Sequence, residues 1–327
     1  MRIAFLIKKF EAPSSRYRVL QYIPYLQEMG HVCTVLRIPP RFHTRFFAFR
    51  KMSGFDLVVL QKKLLGPLEF RLLCCYSKSL IYDFDDAVMY RDSRHANSYS
   101  WQRRRRFIRT VNNADWVIAG NRYLREEVPH SRVTIIPTPI DMERYRAKVY
   151  RDEEKTVTLG WIGSRSTLAY LADLKGVLEK IGRSFDNVQL QIVCDNFFDC
   201  QHLKVIKKPW RYEEEIEDLH SFDIGLMPLS DDPWSRGKCA FKLLQCMAVG
   251  VPVVASPVGM NCEIVHHQKN GFLAHNEDEW FRCLTLLIQQ ADLRKRIGEN
   301  GRNFVEREYS LSRHSQKMGD LFSNYGR

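Results

Sequence analysis

Short apolar runs alternate along the chain with stretches whose apolar residues recur at helical spacing. In the first half the runs are RIAFLI (2–7), HVCTVLRI (31–38), DLVVLQ (56–61), SLIYDF (79–84), DWVIAG (115–120) and RVTIIP (132–137). Helix-like segments lie between them. Strand and helix in alternation predict a parallel sheet covered on both faces.

The pattern then breaks. Residues 141–155, DMERYRAKVYRDEEK, are highly charged and carry no strand pattern, and PTPID just before them reads as the end of a domain. Alternation restarts with TVTLGWIG (156–163), a helix over 167–182, VQLQIVC (188–194), LKVIKK (203–208), a helix near 213–221, DIGLMPL (223–229), a helix after Lys238, and VPVVAS (251–256). Helical segments over 276–290, 292–308 and 310–323 close the chain. The expected fold is α/β, with two doubly wound, Rossmann-like domains. Residues 1–150 form the first and 151–308 the second, and a helix within 309–327 crosses back to the first. Ligands of such sheets bind at the carboxyl ends of the strands. In a tandem pair this places the expected site in the cleft between the domains.

Length and composition agree with two domains. The chain has 327 residues, and its apolar and charged fractions are those of a globular protein. No apolar run is long enough to span a bilayer. MRIAFLIKKF at the start reads as a first strand, since it lacks the apolar length and the small-residue cleavage site of a signal peptide. The nine cysteines form no CxxC pair and the ten histidines no HExxH pattern. Free thiols in a reducing cytoplasm are therefore expected, with no metal site. The net charge of +12 points to an anionic partner: nucleic acid, acidic lipid or a phosphorylated substrate.

Two stretches of the second half suit a phosphate. In GWIGSRST (160–167), Gly163 permits a tight turn, Ser164 or Ser166 can cap the following helix, and Arg165 sits where a phosphate meets a guanidinium and free backbone N–H groups. Glycine and serine also occupy such turns for purely structural reasons. The second stretch is GKCAFKLLQCMAVGVPVVASPVGMNCEIV (237–265). Lys238, Lys242 and Gln245 are four and three residues apart, so on one helix they share a face opposite Ala240, Phe241, Leu244 and Ala248. An isolated helix with this pattern is simply solvated on its polar side. Here the flanking strands put its first turn at the carboxyl edge of a sheet, where two lysines suit a diphosphate and an amide suits sugar hydroxyls. Trp210, after a strand, either packs on a nucleotide base or fills core.

The second half resembles the retaining glycosyltransferases of the large family 4, which adopt the two-Rossmann GT-B fold. The resemblance rests on LLQCMAVGVPVVAS (243–256), PVGMNCEIVHHQKNGFL (257–273) and GWIGS (160–164), and more loosely on DWVIAGNRYLREEV and IPTPID in the first half. The family carries two glutamates in an E-x7-E spacing; here they fall on Gly237 and Gln245. The resemblance implies Arg165 and Lys238 or Lys242 at the donor diphosphate, Gln245 at the nucleotide ribose, and Asn261 and Glu263 in the next loop, where Glu263 binds the donor or braces the loop. It implies no cofactor beyond a nucleotide-diphosphate sugar as co-substrate.

In the first half, KKFEAPSSRYRVLQYIPYL (8–26) follows the first strand; Ser14 or Ser15 can cap a helix in it that Pro24 kinks, with Arg16 and Arg18 in its first turn facing a diphosphate or an anionic acceptor. YDFDDAV (82–88) places Asp83, Asp85 and Asp86 at the carboxyl end of a strand. Three carboxylates so close need a positive partner. Asp85 or Asp86 is expected to meet acceptor hydroxyls or the arginines of the 14–18 loop, in preference to a D-x-D metal site. RFHTRFFAFRKM (41–52) and WQRRRRFIR (101–109) interleave arginines with aromatics, which suits the inner face of an anionic membrane better than nucleic acid.

The function expected is metal-independent transfer of a sugar, with retention, to a glycan, lipid-linked or other hydroxyl acceptor in cell-envelope or polysaccharide synthesis. The alternatives are a nucleotide-sugar epimerase of the same architecture and a non-catalytic basic protein binding nucleic acid or membrane.

Overall fold

The computed structural model describes residues 1–95, 97–150 and 156–325. It divides into two compact units. Unit 1 comprises Met1–Pro139, Asp232–Cys239 and Leu311–Arg327; unit 2 comprises Ile140–Asp231 and Ala240–Ser310.

Unit 1 holds a six-stranded parallel sheet: β1 (Arg2–Ile7), β2 (Val32–Arg37), β3 (Leu57–Gln61), β4 (Leu80–Phe84), β5 (Trp116–Ala119) and β6 (Val133–Ile135), in the order β2-β1-β3-β4-β5-β6. Every residue of β3 and β4 is buried, as helices on both faces require. The strand order reverses between β1 and β3, neighbours that pair through Ile3 and Leu57. Loops leaving β1 and β3 diverge there and open a crevice at the carboxyl edge. The helix Leu311–Tyr325 belongs to this unit and contributes Leu311, Met318 and Phe322 to a core with Ile3, Phe5, Tyr22 and Leu26. Each large apolar side chain so buried contributes about 1.5–3 kcal/mol.

Unit 2 repeats the architecture with β7 (Val157–Ile162), β8 (Val188–Val193), β9 (Lys204–Lys208), β10 (Ile224–Met227), β11 (Val253–Ala255) and β12 (Phe272–Leu273), ordered β12-β11-β10-β7-β8-β9. Its reversal point lies between β7 and β10. Each sheet is the parallel, doubly wound, Rossmann-like arrangement that the alternation of strand and helix predicted.

Three expectations change. The division falls between Pro139 and Ile140 instead of near residue 150, because the charged segment that follows docks on unit 2. Tyr145 donates to Glu215 at 2.6 Å, the Lys148 backbone N–H to the Val249 carbonyl at 2.8 Å, and the Tyr150 hydroxyl to the Gly250 carbonyl. Residues 151–155, the rest of the expected linker, lie outside the described residues. The helix expected after a cap at Ser14 or Ser15 is split into Pro13–Arg18, a single 3-10 turn at Leu20–Tyr22, and Ile23–Glu28. Pro24 opens the last of these, where its missing N–H costs nothing, and neither Ser14 nor Ser15 caps the first. The helix expected after Lys238 begins only at Phe241, after Ala240 takes a left-handed conformation (φ 48°).

Candidate active site

In unit 2 the turn after β7 lies at the reversal point and is built from hydroxyls and one ammonium. Lys242, in the first turn of the helix Phe241–Ala248, donates from Nζ to Thr167 Oγ1 at 2.8 Å and lies 4.9 Å from the centre of the buried Trp161 ring. Gly163 leaves the space for this: a Cβ there would meet the Trp161 ring and come within 2.7 Å of Lys242 Nζ. Ser164 and Ser166 hydroxyls are 2.9 Å apart. The backbone N–H groups of this turn are not free as expected. Ser164 N–H donates to Thr167 Oγ1 at 3.2 Å and Arg165 N–H to Asp195 Oδ1 at 2.9 Å. A hydrogen bond from the Cys194 thiol, with that backbone bond and the Arg165 charge, holds the Asp195 carboxyl below its usual range. The Arg165 side chain itself is exposed.

One turn further along the same helix, Gln245 is buried, not presented to a ligand. Its amide donates to the Tyr145 hydroxyl at 2.7 Å, and that hydroxyl donates to Glu215 Oε1. Trp210 is half-buried and donates from Nε1 to Glu215 Oε2 at 3.1 Å. Gln245 and Trp210 thus meet through a buried tyrosine–glutamate pair. Asn261 is buried and donates from Nδ2 to the Ser256 carbonyl at 3.0 Å, with Oδ1 buried and unpartnered, while Glu263 is exposed.

Lys238 does not share the helix face of Lys242 and Gln245. It belongs with Gly237 to the segment Asp232–Cys239, which packs within unit 1. Asn121, capping the helix Arg122–Glu126, donates to the carbonyls of Gly237 and Lys238 at 3.3 and 3.1 Å. The Cys239 thiol donates to the Asp85 carbonyl at 3.2 Å. Beside it, Lys62 pairs with Asp86 and lies 3.3 Å from Asp85 Oδ1. Burial alone raises the Asp86 carboxyl, but Lys62 and then Lys238 outweigh it and hold it below the usual range.

The arginine expected to meet these acids is elsewhere. Arg18 is buried, pairs through NH2 and Nε with both oxygens of Asp83, and donates from NH1 to the Ile136 carbonyl at 2.6 Å. Burial raises the Asp83 carboxyl and the guanidinium opposes that rise. Arg18 is therefore an internal tie between the first helix, β4 and the loop after β6, not a ligand for diphosphate or acceptor. Arg16 is half-buried. Among the described residues no group of three or more His, Cys, Asp or Glu could hold a metal ion, and all nine cysteines are free thiols.

Sequence reasoning missed Lys62 and Asn121. Asn121 carried a legible signal, a helix-capping asparagine following a strand. Lys62 carried none beyond its place at the carboxyl end of a buried strand.

The comparisons with known proteins bear on this arrangement. Residues 209–304 match the family Glycosyl transferases group 1. An uncharacterized glycosyltransferase of Methanocaldococcus jannaschii, MJ1069, is 23% identical across 96% of this chain and 86% of its own length. These matches support a glycosyltransferase. Among solved structures, Anabaena Alr3699/HepE in complex with UDP and glucose superposes with a TM-score of 0.76 at 15% identity, covering 99% of this chain and 100% of that one. Sucrose-phosphate synthase from Thermosynechococcus elongatus gives 0.72 at 14% identity, covering 99% and 98%. At that identity the two structures establish the GT-B fold of the glycosyltransferase and nothing finer.

Proposed function

We propose that this glycosyltransferase moves a sugar from a nucleotide-diphosphate donor to a hydroxyl acceptor, with retention and without a divalent ion. The observation that carries the donor reading is the Lys242 ammonium set beside the Gly163–Thr167 turn at the reversal point of the unit 2 sheet. A diphosphate seated there meets Lys242, the serine hydroxyls and, from solvent, the Arg165 guanidinium. Fixed cations of this kind stabilise the negative charge that grows on the leaving group, the largest electrostatic contribution to such a step. UDP with glucose, bound in the Anabaena structure, supports a donor of this class. Gln245 acts indirectly, by fixing the helix that carries Lys242.

The acceptor falls to unit 1, where Asp85 and Asp86 stand at the carboxyl edge of β4 and accept hydrogen bonds from hydroxyls. Exposed aromatics favour a lipid-linked acceptor in cell-envelope or polysaccharide synthesis. Phe42, Phe47 and Trp101 are 52%, 64% and 60% exposed, beside Arg41, Arg50 and Arg105. Aromatic rings interleaved with arginines suit peripheral contact with an anionic membrane, which flotation with phosphatidylglycerol vesicles tests.

Calorimetry with UDP tests the donor reading. Saturable binding by the wild-type chain, weakened in Arg165→Ala and Lys242→Ala, supports it. Binding that neither substitution changes removes the phosphate role assigned here. Proton NMR of the first-formed product reads the anomeric configuration, and inversion would sink retention.

A further inference from the structure

We propose that Lys62 is a positioning residue that clamps Asp85 and Asp86 into a fixed pair of carboxylates for the acceptor's hydroxyl groups. Lys62 follows β3, at the reversal point of the unit 1 sheet. It is one of three described non-glycine residues with positive φ (60°), a conformation that L-residues adopt at a penalty and keep where the surroundings enforce it. The surroundings do so here. Its backbone N–H donates to the Asp83 carbonyl at 2.6 Å, and its own carbonyl accepts from the buried Tyr82 hydroxyl at 3.3 Å. This bend turns the side chain along the sheet edge, where the ammonium reaches Asp86 and lies 3.3 Å from Asp85 Oδ1.

Two adjacent carboxylates repel each other and separate unless a cation lies between them. Lys62 supplies that cation. Lys238, from the Asp232–Cys239 segment, adds charge from another side, and the buried Cys239 thiol holds the Asp85 backbone. Asp83, two residues before Asp85, is already paired with Arg18, so the Arg18 charge is engaged there. Asp86 is thereby held below the usual carboxylate range, and both carboxylates are kept close together around an ammonium aimed by the strained Lys62 backbone. An ionised carboxylate only accepts hydrogen bonds, and two held side by side select neighbouring hydroxyls, as on a sugar ring. Asp86, its carboxyl held low, keeps this form well into acid.

The inference rests on the acceptor reading above, and two measurements separate its failure from that reading's. The first needs no substrate. Carbon-13 NMR of labelled aspartate carboxyls follows Asp86, assigned with Asp86→Asn, in wild type, Lys62→Met and Lys62→Arg. Methionine keeps the length and the backbone demand and removes the charge. The expected result is an Asp86 titration about one pH unit or more higher in Lys62→Met and restored in Lys62→Arg. An unmoved titration overturns the clamp. If Lys62→Met fails to fold, Lys62→Arg and Asp86→Asn still decide it, because the clamp requires the arginine variant to titrate as wild type and the acid limb of transfer to disappear in Asp86→Asn.

The second measurement is UDP release from UDP-glucose with octyl β-glucoside as the hydroxyl acceptor, alongside UDP calorimetry. Lys62→Met is expected to bind UDP as wild type does, to raise the acceptor KM roughly tenfold to a hundredfold, and to move the acid limb upward. Unchanged acceptor KM and acid limb overturn the proposal, and loss of UDP affinity reduces Lys62 to a structural role. Wild type that binds no UDP removes the donor reading while the carboxyl titration stands.

Discussion

Gly237 lies so close to Ala87 that a Cβ on residue 237 would come within 2.5 Å of the Ala87 Cβ and 2.9 Å of its backbone nitrogen. The resembled family carries a glutamate at this position. Here the segment packs too tightly on the loop after β4 to hold any side chain, and carboxylates stand on the opposite side of the contact as Asp85 and Asp86. Gly237→Glu is therefore expected to restore nothing and to destabilise the protein, as is Gly237→Ala, each by about 1–3 kcal/mol from overpacking. Urea unfolding of the two variants checks this.

Lys242→Ala is expected to fold normally and to lose turnover by roughly 10²–10³, the usual effect of removing one group that stabilises transition-state charge. Thr167, its hydrogen-bond partner, is half-buried and takes a water in its place, so far-ultraviolet dichroism and melting temperature change little. Thr167→Ala removes the orienting bond together with the hydroxyl's bonds to the Ser164 backbone, leaves the ammonium in place, and should cost less turnover than Lys242→Ala. Equal losses would show that Lys242 acts through Thr167 alone.

The glutamine at 245 follows from proton bookkeeping around Tyr145. The phenol has one proton, and it goes to Glu215 Oε1 at 2.6 Å; its oxygen accepts from the Gln245 amide at 2.7 Å. A carboxylate at 245 would bring lone pairs against lone pairs in a buried place. Gln245→Glu should destabilise by about 1–3 kcal/mol at neutral pH. Burial raises the folded pKa of such a carboxyl above its unfolded value, so the deficit is smallest in acid, below the unfolded pKa, and grows as pH rises through the folded one. Unfolding midpoints at pH 5 and 7.5 read the difference.

Arg18→Met leaves Asp83 ionised, buried and alone, and should cost about 3–5 kcal/mol. Adding Asp83→Leu removes the stranded charge and should recover much of that loss. A double variant no better than the single would mean that the Arg18 bond to the Ile136 carbonyl, not the ion pair, carries the effect.

The architecture was legible because strand and helix periodicity is local. Each apolar run named in the sequence contains a strand, and among the described residues only Phe272–Leu273, a two-residue strand, escaped. Site geometry was less legible for two physical reasons. Helical spacing predicted one face for Lys238, Lys242 and Gln245, but the left-handed Ala240 starts the helix three residues after Lys238 and sends that lysine to the other unit. Charge matching predicted arginines against Asp85 and Asp86, yet those two acids lie beyond the end of β4, which holds only Asp83 of the three. Asp83 turns to Arg18, and the acids beyond the strand end turn to Lys62. Which cation meets which carboxylate is set by the register of β3 against β4, where Gln61 stands opposite Asp83. No feature of either segment alone records that.

The assignment of Leu311–Tyr325 to unit 1 has a consequence for biogenesis. On the ribosome, residues 1–139 emerge before unit 2, yet the core around Phe5 and Tyr22 lacks Met318 and Phe322 until all of unit 2 has been synthesised. Unit 2 therefore has all its residues before unit 1 does. A nascent chain stalled short of Leu311 leaves that apolar face bare, a natural target for chaperones and proteases.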